Sequence, residues 1–356
     1  MLKISLCFIC DENYVIPTVV AITSVIVNKN DVDFYDIYVI GNNLSHESIA
    51  ILKKLESEYT RIIIVKTDIN SKYDRFAMNN THVTTTDLYK FELPNLLPDD
   101  LEKVLYLDGD IIAQKDVASI FNEDIENVYA GVIKDFYVEL KYGDGFRQRL
   151  KVNHKGYFNA GVLLLNLKKL REDRIPELLF QYRNGHEDDF LDQDTFNIVL
   201  KDKVKYLPPF YNFILAFLAY DMKEIADYYK IETVDTKYEW IKDASIIHYA
   251  GPKPKPWKYF DFYAADIWFH NYLVSPVKDV PLTRTSLNEE LIAEKEKELT
   301  IVREIVEKQE KELEKLRPLG EEAKQLKTEL TAVKTGLSFK IGRFLTWIPR
   351  KLLGRP

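Results

Sequence analysis

The sequence predicts an α/β protein in which a mostly parallel sheet is covered by helices, with a C-terminal helical extension. Hydrophobic residues make up 46% of the 356 residues and charged residues 29%, which is typical of a globular chain. Up to about residue 281, short apolar segments alternate with amphipathic ones, a pattern that favours parallel strands joined by helices. From residue 286 onward, Glu, Lys and Leu dominate and apolar residues recur at heptad spacing.

The individual elements of residues 1–281 follow from these patterns. Residues 17–28, 45–58 and 194–200 are predicted as helices, and Pro17 and Ser45 suit the starts of the first two. Seven short apolar runs are predicted as strands: Lys3–Cys10, Phe34–Ile40, Ile62–Lys66, Lys103–Leu107, Val128–Ile133, Val162–Asn166 and Ile246–Tyr249. Ligands of such folds gather beyond the carboxyl ends of the strands, so we expect the binding site there.

The first apolar run contains both cysteines, Cys7 and Cys10. Side chains three residues apart on a strand point to opposite faces, so we expect neither a chelating nor a redox pair, and two buried thiols suit a reducing compartment. This run lacks the features of a leader peptide. The longest apolar stretch elsewhere, residues 213–220, is far shorter than the roughly 18 residues that a membrane-spanning helix needs.

Residues 286–336 carry the heptad signal. One set of positions recurs every seven residues: Val302, Gln309, Leu316, Ala323, Leu330 and Leu337. A companion set precedes it by three residues and then, beyond Leu316, follows it by three: Leu299, Val306 and Leu313, then Leu319, Leu326 and Val333. Because this phase slip coincides with Pro318, we expect two helical segments with a break there. The spacing favours a homo-oligomer assembled by a coiled coil over a solvated helix packed on the domain.

The last segment, residues 338–356, is a basic amphipathic tail. Its five cationic residues are Lys340, Arg343, Arg350, Lys351 and Arg355, and it contains no acid. Aromatic and aliphatic residues lie between the charges, which suits the surface of an anionic membrane; docking onto the domain or a partner is the alternative. The whole chain has a net charge of −7, which argues against a nucleic-acid partner.

Asp108 and Asp110 are the sharpest chemical signal. They follow the predicted strand Lys103–Leu107, and on extended backbone two residues apart their carboxylates point to the same side. Two such charges need a cation, and hard oxygen ligands favour Mg²⁺ or Mn²⁺ over zinc. Gly109 between them would let a ligand approach the backbone closely. A turn at the end of a strand explains Asp and Gly equally well when this segment is taken alone.

Further polar segments accompany this pair. They are residues 10–14, 157–162, 191–194, 211–213 and 247–251. His248 ends a predicted strand and offers an imidazole to a metal, and Lys253 or Lys255 offers a cation to a phosphate.

In order and content, these segments resemble the retaining glycosyltransferases of family eight, of the bacterial lipooligosaccharide galactosyltransferase and glucosyltransferase type. The resemblance covers roughly residues 3–260. It implies a GT-A fold, that is, a Rossmann-like mixed sheet flanked by helices. It also implies a UDP-hexose donor, either UDP-glucose or UDP-galactose, and a Mn²⁺ or Mg²⁺ ion.

Site residues are carried over from this family by position. Asp108, Asp110 and His248 match its metal ligands. Contacts to the nucleotide, the diphosphate and the transferred sugar are implied for a larger set: Ile9, Cys10, Asp11, Asn13, Asn159, Ala160, Asp192, Gln193, Gly251 and a lysine that is Lys253 or Lys255. Lys255 is favoured because it lies in the Lys-Pro-Trp triplet. Lys90 stands where the family usually has arginine, which keeps the charge but loses the bidentate fork.

We therefore expect a metal-dependent retaining hexosyltransferase that acts on a cell-surface glycan or glycolipid. Gln193 is a neutral amide and a poor nucleophile, which favours front-face attack, while Asp192 keeps a double displacement open. The tail predicts a cytoplasmic enzyme peripherally associated with the inner face of the cell membrane. One alternative is a non-catalytic nucleotide-sugar-binding scaffold assembled by the coiled coil. A nucleotidyltransferase is the other, but it should have a glycine-rich loop near the N-terminus.

Overall fold

The computed structural model describes residues 2–30, 33–67, 69–73, 76, 85–139, 156–186, 190–252, 254–336 and 340. The chain divides into two compact units, Met1–Leu287 and Asn288–Pro356. Each unit is considered by itself.

The strands of the first unit form two sheets. The large sheet has seven strands in the order β3-β2-β1-β4-β7-β6-β8, and the small sheet has three in the order β5-β10-β9. The strands in chain order are β1 (Lys3–Asp11), β2 (Phe34–Asn42), β3 (Thr60–Lys66), β4 (Lys103–Leu107), β5 (Ile111–Ala113), β6 (Ala130–Lys134), β7 (Phe158–Asn166), β8 (Val204–Tyr206), β9 (Phe213–Ile214) and β10 (Ile246–His248).

Helices connect these strands. The α-helices of the first unit are α1 (Val15–Val27), α2 (His46–Lys53), α3 (Asn70–Tyr73), α4 (Leu93–Leu96), α5 (Ala118–Phe121), α6 (Leu167–Glu172), α7 (Ile175–Gly185), α8 (Leu191–Val199), α9 (Met222–Tyr229), α10 (Lys237–Asp243) and α11 (Ala265–Leu273). Short 3₁₀ helices occupy Glu12–Tyr14, Thr85–Glu92, Pro209–Tyr211 and Leu215–Ala219.

The large sheet is mostly parallel, as the alternating pattern predicts. Strand β7 is the exception, because it runs antiparallel to both of its neighbours, β4 and β6. The chain adds β2 and β3 on one side of β1 and then places β4 on the other side. In sheets of this kind, ligands bind beyond the carboxyl ends of the two strands at such a reversal, here β1 and β4.

Both faces of the large sheet are covered, which explains the continuous apolar run in β1. Ile4, Leu6 and Phe8 belong to the apolar cluster that includes α1, whereas Cys7 and Ile9 belong to a second cluster on the other face. Both cysteines are free and buried, in agreement with the sequence prediction. Burial raises the pKa of both thiols, that of Cys10 to about 12, so neither is ionised near neutral pH.

The second unit contains one long helix, α12 (Leu287–Thr335). The predicted break at Pro318 is wrong, because the helix continues through this residue. A proline removes one backbone donor, and the Glu, Lys and Leu residues around it are strong helix formers that carry the helix across the defect. The tail 338–356 lies outside the described residues apart from Lys340. Among the helices that are described, none combines the length and hydropathy needed to cross a bilayer.

Candidate active site

Asp108 and Asp110 lie in the turn between the two sheets. Asp108 follows β4 and its backbone N–H donates to Gly161 O at 2.8 Å, while Asp110 precedes β5 and its carbonyl accepts from Tyr249 N–H at 3.0 Å. The sequence offered two explanations for this pair, extended backbone that presents both carboxylates on one side and a turn at the end of the strand. The structure has the turn, and β4 ends at Leu107 as predicted.

His248 completes the cluster from a distant part of the sequence. In the small sheet, β10 pairs antiparallel with β5 so that His248 lies opposite Ile111, next to Asp110. Its Nε2 is 3.2 Å from Asp110 Oδ1 and 3.9 Å from Asp108 Oδ2. The three potential ligand atoms lie within 4.8 Å of one another. The side chains are 24%, 10% and 3% exposed for Asp108, Asp110 and His248, so the cluster opens to solvent on the Asp108 side.

Two buried lysines hold the other oxygen of each carboxylate. Lys90 Nζ lies 3.1 Å from Asp108 Oδ1 and donates to Asp192 Oδ2 at 2.7 Å. Lys255 Nζ donates to Asp110 Oδ2 at 2.5 Å and to Tyr249 O at 2.7 Å. Each aspartate therefore has one oxygen fixed by an ammonium group and one that faces His248.

The charges around these lysines shift the pKa values. Burial alone would lower the pKa of Lys90, but the carboxylates of Asp108 and Asp192 outweigh it and hold the pKa above its usual range. Burial would raise the pKa of Asp110, yet Lys255 and His248 outweigh it and hold the pKa well below its usual range. Lys90 and Asp110 are therefore both charged at neutral pH.

A chain of amide groups fixes the tautomer of His248. The Gly161 backbone N–H donates to Asn159 Oδ1 at 2.9 Å, which identifies that atom as the oxygen. Asn212 Nδ2 donates to the same oxygen at 2.9 Å, so the other Asn212 atom, Oδ1, faces His248 Nδ1 at 2.9 Å. A neutral His248 therefore carries its proton on Nδ1 and presents the lone pair of Nε2 to the two aspartates.

Gly161 leaves the space in which this cluster forms. A Cβ at this position would lie 2.3 Å from His248 Cε1 and 2.7 Å from Asp108 Oδ2, far inside van der Waals contact. By contrast, a Cβ at Gly109 would meet Thr18 Oγ1 of α1 at 2.6 Å. The missing side chain of Gly109 thus makes room for α1, and its contact with a ligand stays a prediction.

The predicted sugar-binding residues lie beside the cluster of Asp108, Asp110 and His248. Gln193 Oε1 accepts from Asn159 Nδ2 at 3.0 Å and from the Ala160 N–H at 3.1 Å. Gln193 Nε2 donates to Asp135 Oδ2 at 3.3 Å. Burial raises the pKa of Asp135, partly offset by its hydrogen bonds. These contacts hold the Gln193 amide in one orientation.

The predicted nucleotide-binding residues lie at the carboxyl end of β1. Ile9 and Cys10 are buried there, and Asp11 caps the following 3₁₀ helix by accepting from the N–H groups of Asn13 and Tyr14 at 3.0 and 3.1 Å. Asn13 is exposed. They thus lie beyond the carboxyl end of a strand, where the sequence analysis expects a binding site, and their contact with a nucleotide stays a prediction.

The predicted diphosphate-binding segment follows β10. Gly251 is exposed and has a φ of +88°, a conformation that favours glycine. Lys253 lies outside the described residues, so the choice between it and Lys255 stays open.

The sequence profile of the Glycosyl transferase family 8 matches residues 5–261. The chain belongs to glycosyl transferase family 8. This confirms the resemblance drawn from the sequence and identifies the protein as a glycosyltransferase.

Known proteins support the family 8 assignment. A putative glycosyltransferase of Haemophilus influenzae is 26% identical over 58% of this chain and 62% of its own length. A lipopolysaccharide 1,2-glucosyltransferase of Escherichia coli K12 is 28% identical over 76% of this chain and 77% of its own. A crystal structure of the galactosyltransferase LgtC with donor and acceptor sugar analogues superposes with a TM-score of 0.63, at 25% identity, over 75% of this chain and 95% of that one. The predicted GT-A fold is confirmed.

Two residues of this family 8 site, Asp135 and Tyr106, were not predicted from the sequence. Asn212 lies in the segment 211–213 that the sequence singled out but gave no role; it is a lone polar side chain in an apolar stretch and is fully buried. Asp135 directly follows β6, at a strand end where ligand-binding residues gather. The Tyr106 hydroxyl donates to Asp108 Oδ1 at 2.5 Å. In the sequence, nothing distinguishes Tyr106 from an ordinary aromatic residue of a strand.

Proposed function

We propose that this family 8 chain transfers glucose or galactose from a UDP-sugar to a cell-surface glycan or glycolipid, with retention of configuration and with the help of Mn²⁺ or Mg²⁺. The observation that carries the proposal is the convergence of Asp108, Asp110 and His248 at the carboxyl end of β4. Proteins with mostly parallel sheets bind their ligands at this edge. GT-A glycosyltransferases commonly use a divalent metal and a nucleotide sugar.

The donor atoms of the cluster fit a divalent cation. Asp108 Oδ2 and Asp110 Oδ1 face His248 Nε2, the nitrogen that carries the lone pair when the imidazole is neutral and donates from Nδ1 to Asn212. Two carboxylate oxygens and one imidazole nitrogen suit Mn²⁺ or Mg²⁺, with room left for the oxygens of a substrate. When bound, such an ion supplies positive charge against the diphosphate that leaves the sugar.

Two lysines contribute further positive charge. The Lys255 ammonium group uses two donors on Asp110 and Tyr249, which leaves its third for a phosphate oxygen. Lys90 keeps Asp108 and Asp192 in place from the opposite side of the cluster. A cation fixed in advance stabilises the departing UDP more than it stabilises the bound donor, which is the condition for lowering the barrier.

The contacts of Gln193 favour front-face attack by the acceptor. Both lone pairs of its Oε1 accept hydrogen bonds, from Asn159 and Ala160, so this oxygen has little capacity to attack the anomeric carbon. Asp192 is ion-paired with Lys90, which lowers its nucleophilicity. The acceptor hydroxyl then attacks from the side that UDP leaves, and configuration is retained.

The proposal is tested with Asp108→Asn and Asp110→Asn. Because each variant removes a charged ligand of the cluster, we expect Mn²⁺-dependent release of UDP from UDP-glucose or UDP-galactose to fall by about 100-fold or more. Mn²⁺ affinity, measured by titration calorimetry, should fall in parallel.

Asp243→Asn is the matched control, since it removes the same charge from an exposed position at the end of α10. Near-normal turnover in Asp108→Asn or Asp110→Asn would refute the metal assignment. A wild-type chain that binds UDP-sugars but releases no UDP, with or without acceptor, would favour the non-catalytic scaffold.

A further inference from the structure

We propose that α12 forms a parallel, in-register, two-stranded coiled coil with a second copy of this chain. The partner is another α12 helix, and the contact surface is the apolar stripe at heptad positions a and d. In the first part of the helix, Leu299 and Val306 take position a, and Val302 and Leu316 take position d. Beyond the phase slip, Ala323 and Leu330 take position a, and Leu319, Leu326 and Val333 take position d.

The stripe is exposed along the described helix. Its large residues are between 45% and 59% exposed: Leu299, Val302, Val306, Leu316, Leu319, Leu326, Leu330 and Val333. Each leucine or valine that is fully buried against a partner contributes about 1.5–3 kcal/mol. Packing this 49-residue helix against a second helix would bury the stripe and so lower its free energy relative to leaving the stripe in water.

The charges beside the stripe determine the orientation. In a parallel pair, each position g faces position e of the next heptad in the partner, five residues further on. Every such pair that joins two charged residues here is attractive: Glu298 with Arg303, Glu312 with Arg317, Glu322 with Lys327, and Glu329 with Lys334. The remaining two pairs, Ile305 with Glu310 and Lys315 with Gly320, are neutral in sign.

An antiparallel pair would reverse this complementarity. There, g positions face g positions and e positions face e positions. The g positions hold Glu298, Glu312, Glu322 and Glu329, and the e positions hold Arg303, Arg317, Lys327 and Lys334. An antiparallel arrangement would bring mostly like charges together, so the sequence of the helix selects the parallel one.

Gln309 and Pro318 fit the same arrangement. Gln309 occupies a d position, and only an in-register pair lets it meet the Gln309 of the partner instead of an apolar side chain. Pro318 lies at position f of the first heptad phase and at position c of the second, away from the contact surface in both. The stripe comprises only positions a and d of each heptad and is flanked mostly by charged residues. Such a narrow apolar stripe is typical of a coiled coil of two helices.

The first test uses disulfide formation in the full-length chain. Native Cys7 and Cys10 are buried, so added cysteines report on the helix. In a parallel in-register dimer, position 302 of one chain faces position 302 of the other, and Val302→Cys should cross-link to a dimer on mild oxidation. Glu304→Cys, two residues away on the outer face, is the matched control and should stay uncross-linked.

The second test reverses the charges. Glu322→Lys with Glu329→Lys places lysines opposite Lys327 and Lys334 of the partner, and we expect the dimer dissociation constant from analytical ultracentrifugation to rise about tenfold or more. Adding Lys327→Glu and Lys334→Glu should restore it, while Mn²⁺-dependent UDP release per chain stays unchanged in all variants. A monomeric or trimeric wild-type chain, failure of the restoring variant, or equal cross-linking of Glu304→Cys would overturn the proposal.

Discussion

Asn212 shows how much of this site depends on one buried amide. Its Oδ1 contacts His248 Nδ1 and its Nδ2 donates to Asn159 Oδ1, so this amide joins the two residues. Outer contacts of this kind orient a metal-binding imidazole and set which nitrogen carries the proton. We infer that Asn212 is a positioning residue for His248.

Replacing this amide should weaken metal binding more than folding. Asn212→Leu has a similar volume but removes the acceptor for His248 Nδ1–H, so we expect Mn²⁺ affinity to fall about 10- to 100-fold. Titration calorimetry of the purified protein measures this directly. Asn212→Asp keeps an acceptor oxygen and should retain most of the affinity. Unchanged Mn²⁺ affinity in Asn212→Leu would show that His248 is oriented by other contacts.

At the residue level, the sequence predicted residues that could be recognised from their chemical type and from their position at the end of an apolar strand. Asp108, Asp110 and His248 follow or end apolar strands and were found close together, as expected. What the sequence could not predict are contacts between distant segments, such as Lys90 with Asp192 and Lys255 with Asp110. These depend on the register and packing of whole elements, which no local pattern encodes.

Among the strands, Asp36 of β2 is paired with one residue from each of the two neighbouring strands. Arg61 of β3 donates to its two oxygens from Nε and Nη2, at 2.7 Å each, and Lys3 of β1 lies 3.0 Å from Oδ2. The Asp36 side chain is fully buried. Burial alone would raise its pKa, but the hydrogen bonds and charges of Arg61 and Lys3 outweigh this and lower it.

This lowered pKa predicts a pH-dependent stability. A carboxyl group whose pKa is lower in the folded than in the unfolded chain stabilises the fold above its unfolded pKa, near 4, and loses that contribution as the pH falls through the folded pKa. We expect Asp36→Asn to lower the free energy of unfolding at pH 7 by about 1–2 kcal/mol, since Arg61 and Lys3 are half-exposed and screened.

Urea denaturation at pH 7 and at pH 3 measures the difference between the two proteins. It should shrink at pH 3, because this pH lies below the unfolded pKa of the carboxyl group, so the unfolded wild-type chain takes up a proton and part of the stabilisation is lost. A difference that is equal at both pH values would contradict the ion-pair explanation.

The length of the apolar run in the sequence explains which strands were predicted. All seven predicted runs have four or more residues and form strands, although β10 itself has only three. Strands β5, β8 and β9 have two or three residues, too few for any periodicity, and they form only because neighbouring strands offer them backbone partners. The small sheet that carries His248 was therefore not predicted, although His248 itself was.

For the whole molecule, the main untested expectation concerns the tail 338–356. Its five positive charges and apolar residues predict binding to anionic membranes. Deleting 338–356 should abolish co-sedimentation with phosphatidylglycerol vesicles while leaving UDP-sugar hydrolysis intact. Neutral phosphatidylcholine vesicles are the control, and they should bind neither form strongly. Equal sedimentation of the full-length and shortened chains with anionic vesicles would rule out the tail as an anchor.

The separation of Asp108, Asp110 and His248 along the chain has a consequence for biosynthesis. Asp108 and Asp110 leave the ribosome well before His248, and at typical rates of translation the delay is on the order of ten seconds. During that interval the nascent chain also lacks Lys255, the cation that balances Asp110. A metal ion held by all three residues, as we propose, could bind only after most of residues 1–287 have been synthesised, so metal loading would show that this part of the protein is complete.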